Sequence, residues 1–414
     1  MRRLKVPSQD PPITSDTLFI LQLRLANESL LPKLKTFECY ANEAFIPFIP
    51  LFLSCETISI NIRFAKDPPT LIVASVIIRL PILCPDLESI TLNDIPEDLA
   101  ITEAISEMLL ACNRDILRCF YVDSPLTEQA RNVLLQLPKL SSLWVVLQGR
   151  ALLPPVVLPN LCTIDVEFGD HLDWLQGFRG MTLGKLENTY FSSHSRQIGD
   201  FLGEFKNVAL TTSTPTTLQE FHFRTSVSWN PSYHSLLPFT QLKDLLIEFS
   251  CGDGCSSRVD DDIIIDLARA MPKLQLLRLG GTPCRTGGGI TAKGLIALAY
   301  GCRHLSKLRI HFETASLVEA TTGAGVPASS DGKTMDRWQD CALTDLEVGW
   351  IPIHQEDVLK ITMTLLQIFP HLVNVKYTER KWKEVAGIVE LVRRIGNFVR
   401  HTGKTYLHAL NPPQ

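Results

Sequence analysis

The 414-residue chain lacks the long apolar run that a membrane-spanning helix requires: its most apolar stretch, Leu71–Leu83, is interrupted by Arg79 and Pro81. It also lacks charge of a dominant sign. Forty Lys and Arg stand against 44 Asp and Glu, a net charge of −4, so nothing in the balance suits a protein built to neutralise phosphates, and no nucleic-acid partner is expected. The basic start MRRLKVPSQDPPITSD is not followed by the apolar core of a secretory signal, since Thr17–Leu25 is short and broken by Gln22 and Arg24. Without such a signal the eleven cysteines read as reduced, small hydrophobes, and the expected location is the cytoplasm, the nucleus or both.

Recognisable catalytic signatures are missing as well. There is neither a G-x-S-x-G elbow nor an H-E-x-x-H pair. Cys251-Gly-Asp-Gly-Cys255, with Cys284 further on, has no second C-x-x-C or C-x-x-H to complete a zinc site, so it reads as a surface loop. Thr286-Gly287-Gly288-Gly289 precedes a helix, but Lys293 is followed by Gly294 rather than Ser or Thr, and the phosphate-loop spacing is absent. The triple acid Asp260, Asp261, Asp262 is explained by helix capping and the helix dipole. His222 beside Glu220 and Asp244 is the one grouping that could act as a base, and no Ser or Cys faces it. The expectation is a protein with no catalytic, metal or cofactor site.

What the chain does have is a repeat. Residues 260–312 run helix, strand, loop, helix, strand: DDDIIIDLARA, MPKLQLLRLGG, TAKGLIALAYG, CRHLSKLRIHF. The two strand lines share one frame, apolar at positions 1, 4 and 6: Leu274, Leu277, Leu279 and Leu305, Leu308, Ile310. In an extended strand, positions 4 and 6 point to one side and positions 3, 5 and 7 to the other. The helices carry apolar residues three to four apart: Ile263, Ile264, Leu267, Ala268, then Leu295, Leu298, Ala299. Position 1 recurs at Leu34, Cys55, Leu87, Leu117, Leu140, Leu161, Leu186, Leu218, Leu242, Leu274, Leu305, Leu343 and Leu372, with a mean step of about 28 residues, in the range of leucine-rich repeats. Thr189 stands where an aliphatic belongs, and the Cys55 line is the weakest of the set.

The expected fold is therefore α/β: a leucine-rich-repeat solenoid, a curved horseshoe with a parallel concave sheet and helices on the convex side. In order, residues 1–16 are expected to be disordered and 17–33 to form a capping helix. Residues 34–380 form about 13 units, with a flexible insertion at 314–339. Residues 381–402 make a C-terminal capping helix and 403–414 a tail. Ala44–Leu53, with Pro47 and Pro50, should turn rather than form a helix. Thr211–Thr217 reads as a loop, Arg196–Leu210 as helix, and the short steps between Leu140 and Leu186 leave room only for extended or single-turn connections. Truncating Leu277 or Leu308 should cost on the order of 2–5 kcal/mol, whereas changing Arg278 or Arg309 should cost little.

Positions 3 and 5 supply the candidate binding face. Position 5 carries Tyr121, Trp144, Asp165 and Tyr190 in the first half. In the second half the face becomes charged: Glu220, His222, Asp244, Arg278, Lys307, Arg309, Asp345, Glu347 and Lys376. Large aromatics on an open sheet face are the residue type that dominates protein-binding hot spots.

The units around GLIALAYGCRHLSKLRI resemble the cysteine-containing repeats of F-box/leucine-rich-repeat proteins. The strings CNRDILRCFYVDSPLTEQAR, LPFTQLKDLLIEFSCGDGCSSRVDDDIIIDLARAMPKL and DCALTDLEVGWIP resemble a group of fungal F-box proteins. The resemblance covers about residues 30–380, the repeat region only; residues 1–33 hold no Leu-Pro-opened F-box helix module. It implies a protein substrate on the concave face and, where an F-box is present, docking on the Skp-type adaptor of a cullin–RING ubiquitin ligase. The expected function is the substrate-binding repeat region of such a receptor, with a stand-alone repeat scaffold or inhibitor as the alternative.

Overall fold

The computed structural model describes residues 2–6, 14–25, 28–147, 156–168, 181–183, 186–194, 198, 200–211, 214–227, 229–250, 259–280, 289–321, 340–348, 351–377 and 379–394. Cys251–Cys255, Cys284, residues 286–288, residues 322–339 of the insertion and the 403–414 tail lie outside them. The chain divides into two compact units, Met1–Thr217 and Leu218–Gln414. Both are α/β, with an all-parallel main sheet.

In the first unit the sheet runs β1 (Arg3–Val6), β2 (Thr36–Ala41), β3 (Ser59–Phe64), β4 (Ser89–Asn93), β5 (Cys119–Pro125), β6 (Ser142–Leu147), β8 (Thr163–Phe168) and β10 (Asn188–Ser193), every neighbour parallel. The short connections after β6 and β8 each contribute one small strand, β7 (Val156–Leu158) and β9 (Met181–Leu183), which pair with each other. Parallel neighbours need a return path across the sheet, and helices supply it where the step is long enough: Thr70–Leu83, Leu99–Ala111, Glu128–Leu134 and Phe201–Leu210. Asp98, Thr127 and Asp200 cap the last three by accepting from backbone N–H groups of Ala100, Ala130 and Gly203. The apolar run 70–83 is thus a fourteen-residue helix, and among the described residues no helix is long and apolar enough to cross a membrane.

The second unit repeats the scheme with β11 (Glu220–Thr225), β12 (Asp244–Glu248), β13 (Leu276–Leu279), β14 (Lys307–Arg309), β15 (Asp345–Val348) and β16 (Asn374–Tyr377), again all parallel. Its helices are Asp261–Ala270, Ala292–Gly301, Thr314–Thr321 and Val358–Ile368, followed by a helix over 382–394 that buries Trp382, Val385 and Val389. The Trp382 Nε1–H donates to the carbonyl of Ile351 at 2.9 Å, and its ring meets Phe312 edge-on. The triple acid does capping work twice. Asp260 accepts from Ile263 N at 2.9 Å on its own helix. Asp261 reaches the next one, accepting from Thr291 N, Thr291 Oγ1 and Gly294 N at 2.8, 2.6 and 3.0 Å. Asp261 comes so near that a Cβ on Gly294 would lie 2.5 Å from its Oδ1, so a larger residue at 294 would displace the Asp261 carboxylate from its capping position.

One hydrogen-bond pattern fixes the register in both units. The carbonyl at position 2 of a strand line accepts from the N–H groups at positions 2 and 3 of the next. Glu88 receives Arg118 and Cys119 in this way, and Gln275 receives Ser306 and Lys307. Positions 1, 4 and 6 then fall in line and are buried: Leu87, Ile90, Leu92 against Leu117, Phe120, Val122, and Leu274, Leu277, Leu279 against Leu305, Leu308, Ile310. Each fully buried aliphatic contributes roughly 1.5–3 kcal/mol. The buried cysteines belong to this core. The Cys302 thiol donates to the Met271 carbonyl at 3.5 Å, and burial pushes Cys84, Cys112 and Cys302 up to about 12.

The structure alters several local expectations. Pairing of Ser59 with Thr36 makes Thr57, not Cys55, the anchor of its line; Thr57 is fully buried and Cys55 exposed. Residues 3–6 form an edge strand whose Arg3 and Lys5 both reach Glu38. The first helix is Ser15–Leu25. Ile46–Leu51 is a 3-10 helix, which tolerates Pro47 at its start. Thr214–Thr217 closes one helical turn, and the opening of the 314–339 segment is the helix Thr314–Thr321.

Candidate functional site

Positions 3, 5 and 7 of the strand lines remain on the face opposite the buried positions, and each unit carries distinctive side chains there. In the first unit the register places Tyr121 opposite Trp144, Trp144 opposite Asp165 and Asp165 opposite Tyr190. Four candidates from four neighbouring strands thus form one row. The Tyr121 and Trp144 rings stack with centroids 4.2 Å apart and planes at 23°. Tyr121 is 37% exposed, so a large aromatic surface faces outward rather than into the core. Acids flank the stack: Asp165 beside it, Glu167 two residues on, and Asp123 on the Tyr121 strand. The outward positions of β5, β6, β8 and β10 include no Lys or Arg. Burial, then Asp165 and Asp123, push the Tyr121 phenol up, so its hydroxyl stays protonated and able to donate.

Asp123 sits at a break in the ladder, where pairing slips between Val122 and Pro125. Its carboxylate turns back to accept from the backbone N–H groups of Asp94 and Ile95, holding Asp94 in the left-handed region at φ 56°. Arg63 in turn donates to Asp94 at 2.6 Å. Burial outweighs these bonds and pushes the Asp123 carboxyl above its usual range.

In the second unit the charged candidates separate into two groups. Arg278, Arg309 and Glu347 belong to an ion network completed by Glu248 and Arg224. Arg309 lies 3.0 Å from Glu248 and 3.4 Å from Glu347, Arg278 3.8 and 3.7 Å from the same two, and Arg224 3.0 Å from Glu248. The side chain of Arg309 is only 16% exposed. Arg278 and Arg309, whose substitution is expected to cost little, each bridge two glutamates across four strands. Position 7 supplied Glu248, Arg224, Asp123 and Glu167, and a reading confined to positions 3 and 5 passes over all of them; the frame itself, extended by one alternate residue, contains the signal.

The other group is Glu220, His222 and Asp244. Glu220 and His222 are alternate residues of β11, and Asp244 pairs with Glu220 on β12. One ligand-type atom from each lies within 4.8 Å of the others, and all three are half-buried. Burial first and Glu220 second push the Asp244 carboxyl up, with Lys307 and Lys243 pulling the other way. Burial pushes His222 down, which keeps its imidazole neutral. The outward positions of β11, β12 and β13 are Glu220, His222, Arg224, Asp244, Leu246, Glu248, Leu276 and Arg278, none of them a Ser, Thr or Cys nucleophile. Lys307 lies next to Leu276 on the ladder, opposite Asp345 on its other side.

No family model matches the chain, and no curated protein matches it.

Proposed function

We propose that the chain is a non-enzymatic protein-recognition module, a leucine-rich-repeat solenoid that holds a protein partner on the open face of its sheet. The observation that carries this reading is the stacked Tyr121–Trp144 pair, a partly exposed aromatic platform on neighbouring parallel strands. Fixed strands hold it in place before a partner arrives, which lowers the ordering cost of binding. Its surroundings favour a basic segment: three carboxylates with no Lys or Arg among the outward positions of four strands, and aromatic faces that attract Lys and Arg head groups.

The regular strand frame, the capped helices and the buried cysteines at repeat boundaries support the leucine-rich-repeat reading. The resemblance to F-box/leucine-rich-repeat proteins places the module, in our reading, as the substrate-binding repeat region of a ubiquitin-ligase receptor in the cytoplasm or nucleus. The second reading is a stand-alone repeat scaffold or inhibitor.

The test is affinity capture with the tagged chain 1–414, run beside a Tyr121→Ala/Trp144→Ala variant of equal thermal midpoint. Specific partners that the variant fails to retain are the expected result. Partners retained equally by both proteins overturn the assignment of the site. Capture of the Skp-type adaptor supports the ligase-receptor reading, whereas specific partners without it favour the scaffold.

A further inference from the structure

We propose that Glu220, His222 and Asp244 form a binding site for a divalent transition cation of the zinc type. Two alternate residues of one strand and one residue of its neighbour point to the same face, so three side chains converge without any loop to order. Their candidate ligand atoms lie within 4.8 Å of one another. Metal–ligand bonds of about 2.0–2.2 Å would draw these atoms closer together, a change that side-chain rotation on a fixed sheet can supply.

The donor set then selects the ion. One imidazole with two carboxylates suits Zn²⁺ and its first-row neighbours, whereas Mg²⁺ and Ca²⁺ prefer oxygen throughout. Two acids directly opposite on paired strands repel each other. Here the repulsion occurs in a half-buried setting, where a cation between them would remove it. Leu246, which follows the metal-facing Asp244 by two residues and pairs with His222, is buried and provides an apolar wall on one side. Lys307 and Lys243 are the cationic groups that act on Asp244, and Arg224 and Arg278 those that act on His222. They moderate the affinity without occupying a ligand position. Three protein ligands leave coordination positions open for water or for a side chain of a bound partner.

The inference does not depend on the recognition function, and its test reads metal alone. The full chain is stripped with chelator, dialysed and titrated with Co²⁺, a visible reporter of zinc-type sites, followed by displacement with Zn²⁺. The expected result is one Co²⁺ per chain, with a visible spectrum of nitrogen and oxygen ligation that Zn²⁺ abolishes. His222→Ala and, separately, Asp244→Asn should lose that spectrum while matching the metal-free parent in circular dichroism and thermal midpoint. Should either fail to fold, Glu220→Gln serves in its place. Absence of a saturable Co²⁺ spectrum overturns the proposal. So does an unchanged spectrum in the folded variants, or a sulfur-to-cobalt charge-transfer band, which would assign the ion to thiols.

Discussion

The hydroxyl of Thr57 donates to the carbonyl of Leu34 at 3.0 Å, joining two fully buried anchor positions of neighbouring strand lines. Thr57 also receives the Ser54 N–H, at 3.3 Å. A polar residue thus occupies a leucine position by satisfying backbone groups that a leucine would leave to others. Thr57→Val keeps the shape and removes the hydroxyl, so it should lower unfolding free energy by about 1–3 kcal/mol. Thr57→Leu restores the consensus residue of the repeat, yet it should also destabilise, because it adds volume and removes the same bonds. Denaturant melts of both variants check this; a stabilised Thr57→Leu protein would show that the hydroxyl contributes nothing.

That contact also shows where the sequence became hard to read. An apolar frame identifies strands through residues that lack polar atoms, so Leu87, Leu117, Leu274 and Leu305 stand out and Thr57 does not. Cys55, two residues earlier, satisfies the pattern by composition while the register leaves it exposed. Thr189 shows the same blindness at position 4, where it is fully buried. The helix start after Asp260 was legible because capping chemistry is local. The Glu248–Arg309 pair was not, because its partners are 61 residues apart and meet only through the stacking of strands. The Tyr121–Trp144 row was legible, since alternation alone assigns its face; the acidic ring around it required position 7.

Arg309 should behave as a structural cation. Arg309→Ala leaves Glu248 and Glu347 with fewer counter-charges in a partly buried setting. Its cost should exceed that of Arg224→Ala, whose 62% exposed side chain places it with surface pairs worth about 0–1 kcal/mol. It should remain below the roughly 2–5 kcal/mol of the core truncation Leu308→Ala. Equilibrium unfolding of the three variants orders them. Equal losses for Arg224→Ala and Arg309→Ala would reduce the network to independent surface contacts.

Asp123 sets an unusual pH dependence. Its carboxyl is raised above 3.8 in the folded chain, chiefly by burial. The folded state therefore takes up this proton at a higher pH than the unfolded state does. The resulting penalty is present at neutral pH and disappears as pH falls through the folded value toward 3.8. Glu390, held at about 2 by Arg393 and Arg394, contributes with the opposite sign, and its contribution is lost progressively as pH falls from 4.5 towards about 2. Comparing Asp123→Asn with the parent isolates the first group. Between pH 7 and about pH 4, the stability difference should move in the parent's favour. A constant difference would mean the Asp94 and Ile95 bonds balance burial, and one that moves toward the variant would mean they outweigh it.

The acidic setting of the aromatic stack makes the proposed partner's charge measurable. Asp165 is the cross-strand neighbour of Trp144, so Asp165→Lys places a cation where a basic segment of the partner would lie. The substitution is on a half-buried open-face position and should leave unfolding nearly unchanged, since the buried positions 4 and 6 are untouched. Retention of a partner captured by the parent chain should fall sharply, and retention by the parent itself should weaken as salt rises to about 1 M, where screening acts within roughly 3 Å. Trp144→Phe should keep part of the binding, because it preserves an aromatic face beside Tyr121. A partner held more tightly by Asp165→Lys would be acidic, and the platform would then recognise through its rings alone while the surrounding carboxylates select against it.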